Sequence, residues 1–134
     1  MYLYATGRRV SSNTEYRASI RLRSNGTIGV SAVAYKGSST GETLGTEVIL
    51  PGTVTAGTAI NVRLQVTGTS PTTIRIKTWV AGTTEPTAWT VTATDSYAAL
   101  QAPGAVGVMA YLSSSSTNAP VTLKVQQLSA FAAE

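Results

Sequence analysis

Six carboxylates, Glu15, Glu42, Glu47, Glu85, Asp95 and Glu134, are the side chains best suited to general acid or base work in this sequence, because histidine and cysteine are both absent. Glycoside hydrolysis needs two such groups facing each other across a sugar. Here they stand singly, most of them at strand ends or in loops of the pattern read below. A serine or threonine nucleophile needs an oriented base beside it, and without histidine that role would fall to lysine or a carboxylate. The many hydroxyls read better as β-surface residues. Transition-metal sites favour histidine and cysteine, and a calcium site would have to rely on Asp95, one glutamate and main-chain carbonyls. The expectation is therefore no catalytic residue, no metal ligand, no cofactor and no enzyme, with the work done by surfaces.

One surface constellation is more productive. Arg75, Lys77 and Trp79 fall on the polar parity of one alternating stretch, and Arg17, Arg21 and Arg23 do so on another. An indole beside hydrogen-bonding side chains suits a sugar ring, whose apolar C–H face packs on an aromatic while its hydroxyls pair with polar groups. Arg75, Lys77 and Trp79 are the first candidates for contact, with Tyr35 and Tyr111 behind them. The competing structural reading turns Trp79 inward through a bulge or packs it beneath a neighbouring subunit.

Alternation with period two recurs along the chain between Gly, Pro, Ser and Asn clusters, and helical spacing is almost absent, which predicts about nine strands. They run near Tyr2 to Val10, Glu15 to Arg23, Thr27 to Lys36, Glu42 to Leu50, Ala59 to Thr67, Thr73 to Ala81, Trp89 to Thr94, Ala105 to Leu112 and Pro120 to Leu128. In the second, Tyr16, Ala18, Ile20 and Leu22 share one face while Arg17, Ser19, Arg21 and Arg23 share the other. Asn25-Gly26 predicts a two-residue hairpin turn with positive φ at both positions. Tyr97 to Gln101 is the one helical candidate, a single short turn. The polar run Ser113 to Asn118 reads as a loop.

The 134 residues fit one domain spanning 1–134, with 43% hydrophobic and 12% charged residues. Polarity comes mainly from Ser, Thr and Gly, which suits an extracellular or virion β-protein. Without thiols the redox compartment is undetermined. The amino terminus lacks the basic-then-apolar order of a secretory signal, and no apolar window reaches the ~18 residues that would suggest membrane insertion. The net charge of +4 is read as solubility. Basic residues nowhere run longer than Arg8-Arg9, so nucleic acid is not an expected partner.

Several ordered segments carry a resemblance. Tyr2-Leu3-Tyr4-Ala5-Thr6-Gly7-Arg8-Arg9, Glu15-Tyr16-Arg17, Val62-Arg63-Leu64-Gln65-Val66-Thr67-Gly68, Gly82 to Trp89, Gly104-Ala105-Val106-Gly107 and Tyr111 to Val121 together resemble a concanavalin A-like, laminin-G-like jelly-roll domain. Such domains occur in secreted proteins of actinobacteria and in tail or other virion proteins of their phages. The resemblance implies an all-β, antiparallel jelly-roll sandwich of the lectin type. It also implies a non-catalytic carbohydrate-binding or adhesion module, in a virion or at a cell surface, whose partner is cell-envelope glycan. The alternative is a structural virion protein, a capsid decoration or tail component, whose surface serves subunit assembly. Family members usually carry further amino-terminal strands before the residues that match Tyr2 to Val10. The expectation that follows is a shortened sandwich, or one completed by another chain, hence a homo-oligomer or docking onto other virion or cell-surface subunits.

Overall fold

Alternation decides which side of each strand faces the core, and the computed structural model, which describes residues 1–132, shows the outcome. Eight strands form: β1 (Tyr2–Ser11), β2 (Thr14–Leu22), β3 (Ile28–Lys36), β4 (Glu42–Ile49), β5 (Ile60–Thr67), β6 (Thr72–Val80), β7 (Val91–Asp95) and β8 (Ala105–Tyr111). One antiparallel sheet has the order β4-β3-β2-β1-β8, and a second has β5-β6-β7. They pack face to face as a β-sandwich, with β5 beneath β1 and β2, β6 beneath β3, and β7 beneath β3 and β4. The helical candidate forms as one 3-10 turn, Ala98–Leu100, whose Leu100 is fully buried.

The core is the inward parity of each strand. Tyr16, Ala18 and Ile20 of β2, Ile28, Val30, Ala32 and Ala34 of β3, Leu44 of β4, Ile74 and Ile76 of β6 and Val91 of β7 form one buried cluster. Each large aliphatic side chain so buried contributes about 1.5–3 kcal/mol relative to exposure. Gly7 of β1 faces Leu64 and Val66 of β5. A Cβ there would lie 2.9 Å from Cγ2 of Val66 and 3.1 Å from Cδ2 of Leu64, so any side chain would force those two to shift.

Two expectations need correction. The link between β2 and β3 is longer than a two-residue turn: Gly26 N–H donates to the Arg23 carbonyl (3.0 Å), so Ser24 and Asn25 are the central pair. Gly26 alone takes a positive φ, +82°. Asn25 contributes through its side chain, whose Oδ1 accepts from the N–H and hydroxyl of Thr27. The extra length lets the Gly26 carbonyl accept from Val54 N–H (2.9 Å), which ties the hairpin to the chain leading into β5.

The ninth expected strand is absent. Residues 120–128 join no sheet, and their apolar side chains are exposed. Val121, Leu123 and Val125 alternate as a strand should, but a strand exists only against a partner's ladder, and none of the described strands pairs with this segment.

A polar network closes the sandwich at the end where β1 turns into β2. Tyr16 OH donates to Asp95 Oδ2 (2.7 Å), Lys36 Nζ pairs with Asp95 Oδ1 (2.8 Å), and Tyr97 N–H donates to Asp95 Oδ2 (3.0 Å). Gln101 donates to Tyr16 OH and accepts from the Thr72 hydroxyl. This network joins β2, β3, β6 and β7 across both sheets.

Candidate functional site

The outward parity of the five-stranded sheet collects aromatic and cationic side chains that lie far apart in sequence. Register pairs Tyr2 with Arg21 and Thr6 with Arg17 across β1 and β2. It pairs Tyr2 with Tyr111 and Tyr4 with Met109 across β1 and β8, and Glu15 with Tyr35 across β2 and β3. Since neighbouring strands lie about 4.8 Å apart, these pairs are in contact range. The rings of Tyr2 and Tyr4 stack with centroids 6.1 Å apart, and Tyr111 lies 6.1 Å from Tyr2.

Arg17 is the keystone of this face. Its guanidinium lies 3.9 Å from the Tyr35 ring centroid and 5.2 Å from that of Tyr4. Nε donates to Glu15 Oε1 (2.9 Å), and a second nitrogen pairs with the same oxygen. Glu15 is buried with this one close partner; its other oxygen has no hydrogen bond, and Arg9 Nε stands 3.5 Å away. The Arg17 charge is therefore spent on Glu15, and the residue acts as a spacer holding two tyrosine rings apart.

Arg21 differs. It lies 5.6 Å from the Tyr2 ring and makes no ion pair among the described residues, so its guanidinium is available to an incoming anion or hydroxyl. Arg23, just past the end of β2, is held by Glu47.

Two adjoining depressions of about 330 Å³ each lie on this face and share Tyr4 and Tyr35. The first is lined by Tyr2, Tyr4, Ser19, Arg21, Ser31, Val33, Tyr35, Gly41, Thr43 and Glu47, and the second adds Asn13, Arg17, Ser39, Met109, Ala110 and Tyr111. Their size is at the lower end for small-molecule sites. Gly41 shapes the wall, since a Cβ there would come within 2.8 Å of the Tyr35 ring. Burial pushes the Tyr4 hydroxyl above its ordinary range, with the neighbouring tyrosines adding to the shift and Arg17 opposing it. That phenol stays a hydrogen-bond donor throughout physiological pH.

Of the residues expected at a site, Tyr35 and Tyr111 belong to this face, whereas Arg75, Lys77 and Trp79 sit on the outer face of the other sheet. Trp79 keeps its outward parity, because β5 and β6 pair without a shift from Ile60↔Val80 to Thr67↔Thr73. The bulge that would turn it inward does not form. The segment between β6 and β7 folds back over this patch. Trp89 lies 4.8 Å from Lys77 Nζ, while Glu85 Oε1 takes Lys77 (3.3 Å) and Arg63 (2.9 Å). Lys77 is left only 8% exposed. Arg75 reaches Gln65, its cross-strand neighbour (3.4 Å).

The aromatic half of the better face, Tyr2 and Tyr4, was missed because tyrosines at spacing two read equally well as half-buried strand residues. Their signal was parity. Leu3 and Ala5 take the apolar side of β1, which leaves both tyrosines on the side that carries Arg17 and Arg21 in β2. Asp95, the one aspartate, has both oxygens engaged by the closing network, and no cluster of three metal-ligating side chains occurs among the described residues.

In comparisons with protein-family models, curated proteins and solved structures, the chain matches none.

Proposed function

We propose that this chain is a non-catalytic carbohydrate-binding module of the concanavalin A-like jelly-roll type, working in adhesion on a virion or cell surface, with the tyrosine face of the five-stranded sheet as its site. The observation that carries this reading is the row Tyr111, Tyr2, Tyr4 and Tyr35 interleaved with arginines over two depressions, one cation of which, Arg21, lacks a carboxylate partner. Aromatic rings of this kind offer flat apolar platforms for sugar rings. Ser19, Ser31 and Thr43 line the first depression with hydroxyls, and Arg21 favours a glycan bearing carboxylate or phosphate.

The two carboxylates on the outer side of this sheet, Glu15 and Glu47, fit binding better than hydrolysis. Glu15 pairs across the sheet with Tyr35, and Glu47 packs against Gly29, six residues along the same strand. At about 3.3 Å per residue the two are roughly 20 Å apart, beyond the ~5–9.5 Å that brackets a scissile glycosidic bond.

A glycan array with the wild-type protein tests the proposal, followed by titration of the best-bound sugar against Tyr4→Ala, Arg21→Ala and Trp79→Ala. Loss of one stacking platform is expected to weaken binding about tenfold. Arg21→Ala should weaken acidic glycans more than neutral ones, and Trp79→Ala should leave affinity unchanged. Absence of any retained glycan, or binding that follows Trp79 and ignores Tyr4, refutes the assignment to this face.

The second reading, a structural virion component, draws on the uncovered apolar side of β8. That feature bears on assembly whatever the tyrosine face binds.

A further inference from the structure

The two sheets are unequal, and the difference leaves one strand uncovered. β8 lies beyond β1, while the smaller sheet ends at β5 beneath β1 and β2, so none of the described strands lies under β8. Its inward parity is apolar: Ala110 and Val108 face the same way as Leu3 and Ala5, their partners in β1. Val106 and Val108 are nevertheless 57% and 49% exposed. Bordering the space beneath them runs the free edge of β5, whose backbone donors and acceptors on that side pair with no described strand. One further strand beside β5 would satisfy that edge and cover β8 at once.

The chain carries a segment with the required pattern. Val121, Leu123 and Val125 form an apolar row, and Thr122, Lys124 and Gln126 a polar one, in a segment that pairs with nothing and whose apolar members are 38–54% exposed. We propose that residues 120–128 form a strand beside β5 of a second copy of this chain, with the exchange reciprocal about a twofold axis.

Direction favours a second copy over the segment's own sandwich. β8 ends opposite Tyr2, at the end of the sandwich where the β2–β3 link lies. β5 runs away from that end, since Gly7, far along β1, contacts Leu64 and Val66 near the finish of β5. A segment turning directly back under β8 would therefore run parallel to β5 in a sheet that is otherwise antiparallel. To enter antiparallel it must first travel the length of β8, about 24 Å at 3.4 Å per residue, and cross the roughly 10 Å between sheets. Residues 112–120 could span that only when almost straight, and they are shortened by a turn in which Ser116 N–H donates to Ser113 O (3.0 Å). A segment arriving from a neighbour has no such constraint, takes the slightly more stable antiparallel pairing and buries two apolar rows.

Light scattering on the full chain after size exclusion, over a hundredfold concentration range, reads the outcome. A mass of twice 13.9 kDa is expected for the wild type. Leu123→Lys and Val108→Lys, in the two halves of the contact, should each weaken the dimer at least tenfold, about the loss expected for one buried aliphatic side chain. Leu123 lies outside the packed sandwich, so its substitution leaves the fold intact even if Val108→Lys does not. Hydrogen exchange should show amides 121–125 protected in the dimer and open in the Leu123→Lys monomer. A wild type that stays monomeric overturns the proposal, whether the segment is protected, meaning closure on its own sandwich, or open. A dimer indifferent to Leu123→Lys overturns it equally.

Discussion

Tyr16 offers the sharpest test of how the sandwich is closed. Its ring is fully buried in the core, and its hydroxyl donates to Asp95. Burial, reinforced by that hydrogen bond and by the aspartate's negative charge, pushes the phenol up to about 12 from its usual 10. A group whose folded value is raised stabilises the fold fully below its unfolded value and loses that contribution as pH rises through the folded one. Tyr16 therefore supports the fold below about pH 10, and its contribution disappears between about pH 10 and 12. Two pKa steps of about 1.4 kcal/mol each amount to roughly 3 kcal/mol. Replacing Tyr16 by Phe removes a hydrogen bond to a charged acceptor, worth about 1.5–3 kcal/mol at pH 8. Only the wild type carries the ionising phenol and the two figures are of similar size, so the stability gap between wild type and Tyr16→Phe should close as pH approaches 12. Urea denaturation of both proteins from pH 8 to 11.5 measures the gap, and the difference in tyrosinate absorbance between them follows the Tyr16 phenol itself. A gap that holds constant over that range, or a Tyr16 phenol that ionises at the usual 10, refutes the reasoning.

The same network governs the acid side. Burial alone would raise the Asp95 carboxyl, but hydrogen bonds from Lys36, Tyr16 and the Tyr97 backbone outweigh it and hold the group below its ordinary range. Its contribution is thus present above about pH 4 and is lost as pH falls through the depressed value; Asp95→Asn should flatten the urea midpoint between pH 5 and 2. Arg17→Met strands the Glu15 carboxylate and should cost about 3–5 kcal/mol, whereas Glu15→Gln combined with Arg17→Met should recover most of that loss in a thermal melt cycle. Ile76→Ala, at the centre of β6, should cost about 2–5 kcal/mol by denaturant midpoint. Gly26→Ala should lower the melting temperature, because φ there is +82° and the new Cβ would stand 2.7 Å from the Val54 carbonyl oxygen.

Strand positions were legible where burial on one side enforces alternation. In β2, Tyr16, Ala18 and Ile20 take the core side and Arg17, Ser19 and Arg21 the outer one, as the pattern requires, yet of the outer three only Arg21 is exposed, because Arg17 and Ser19 are covered by their neighbours on that face. Periodicity failed at 120–128 for a physical reason: it reports which face could be buried and says nothing of whether a neighbour is there to bury it. The candidate site was half legible. Parity put Arg17 on an outward face and Tyr35 and Tyr111 were contact candidates, but the row they share with Tyr2 and Tyr4 depends on the order β3-β2-β1-β8, which brings residues more than a hundred positions apart together. Lys77 shows the converse limit. Its outward parity was correct, yet the segment carrying Glu85 and Trp89 lies across it, and the path of a loop leaves no periodic trace.

Both tryptophans, Trp79 and Trp89, lie on the outer side of the three-stranded sheet, whereas Tyr2, Tyr4, Tyr35 and Tyr111 lie on the outer side of the five-stranded one. Nature has thereby given each layer its own chromophore. Indole emission follows the smaller layer and phenol absorbance is weighted toward the larger, so one denaturation experiment can report whether the halves melt as a unit or in succession.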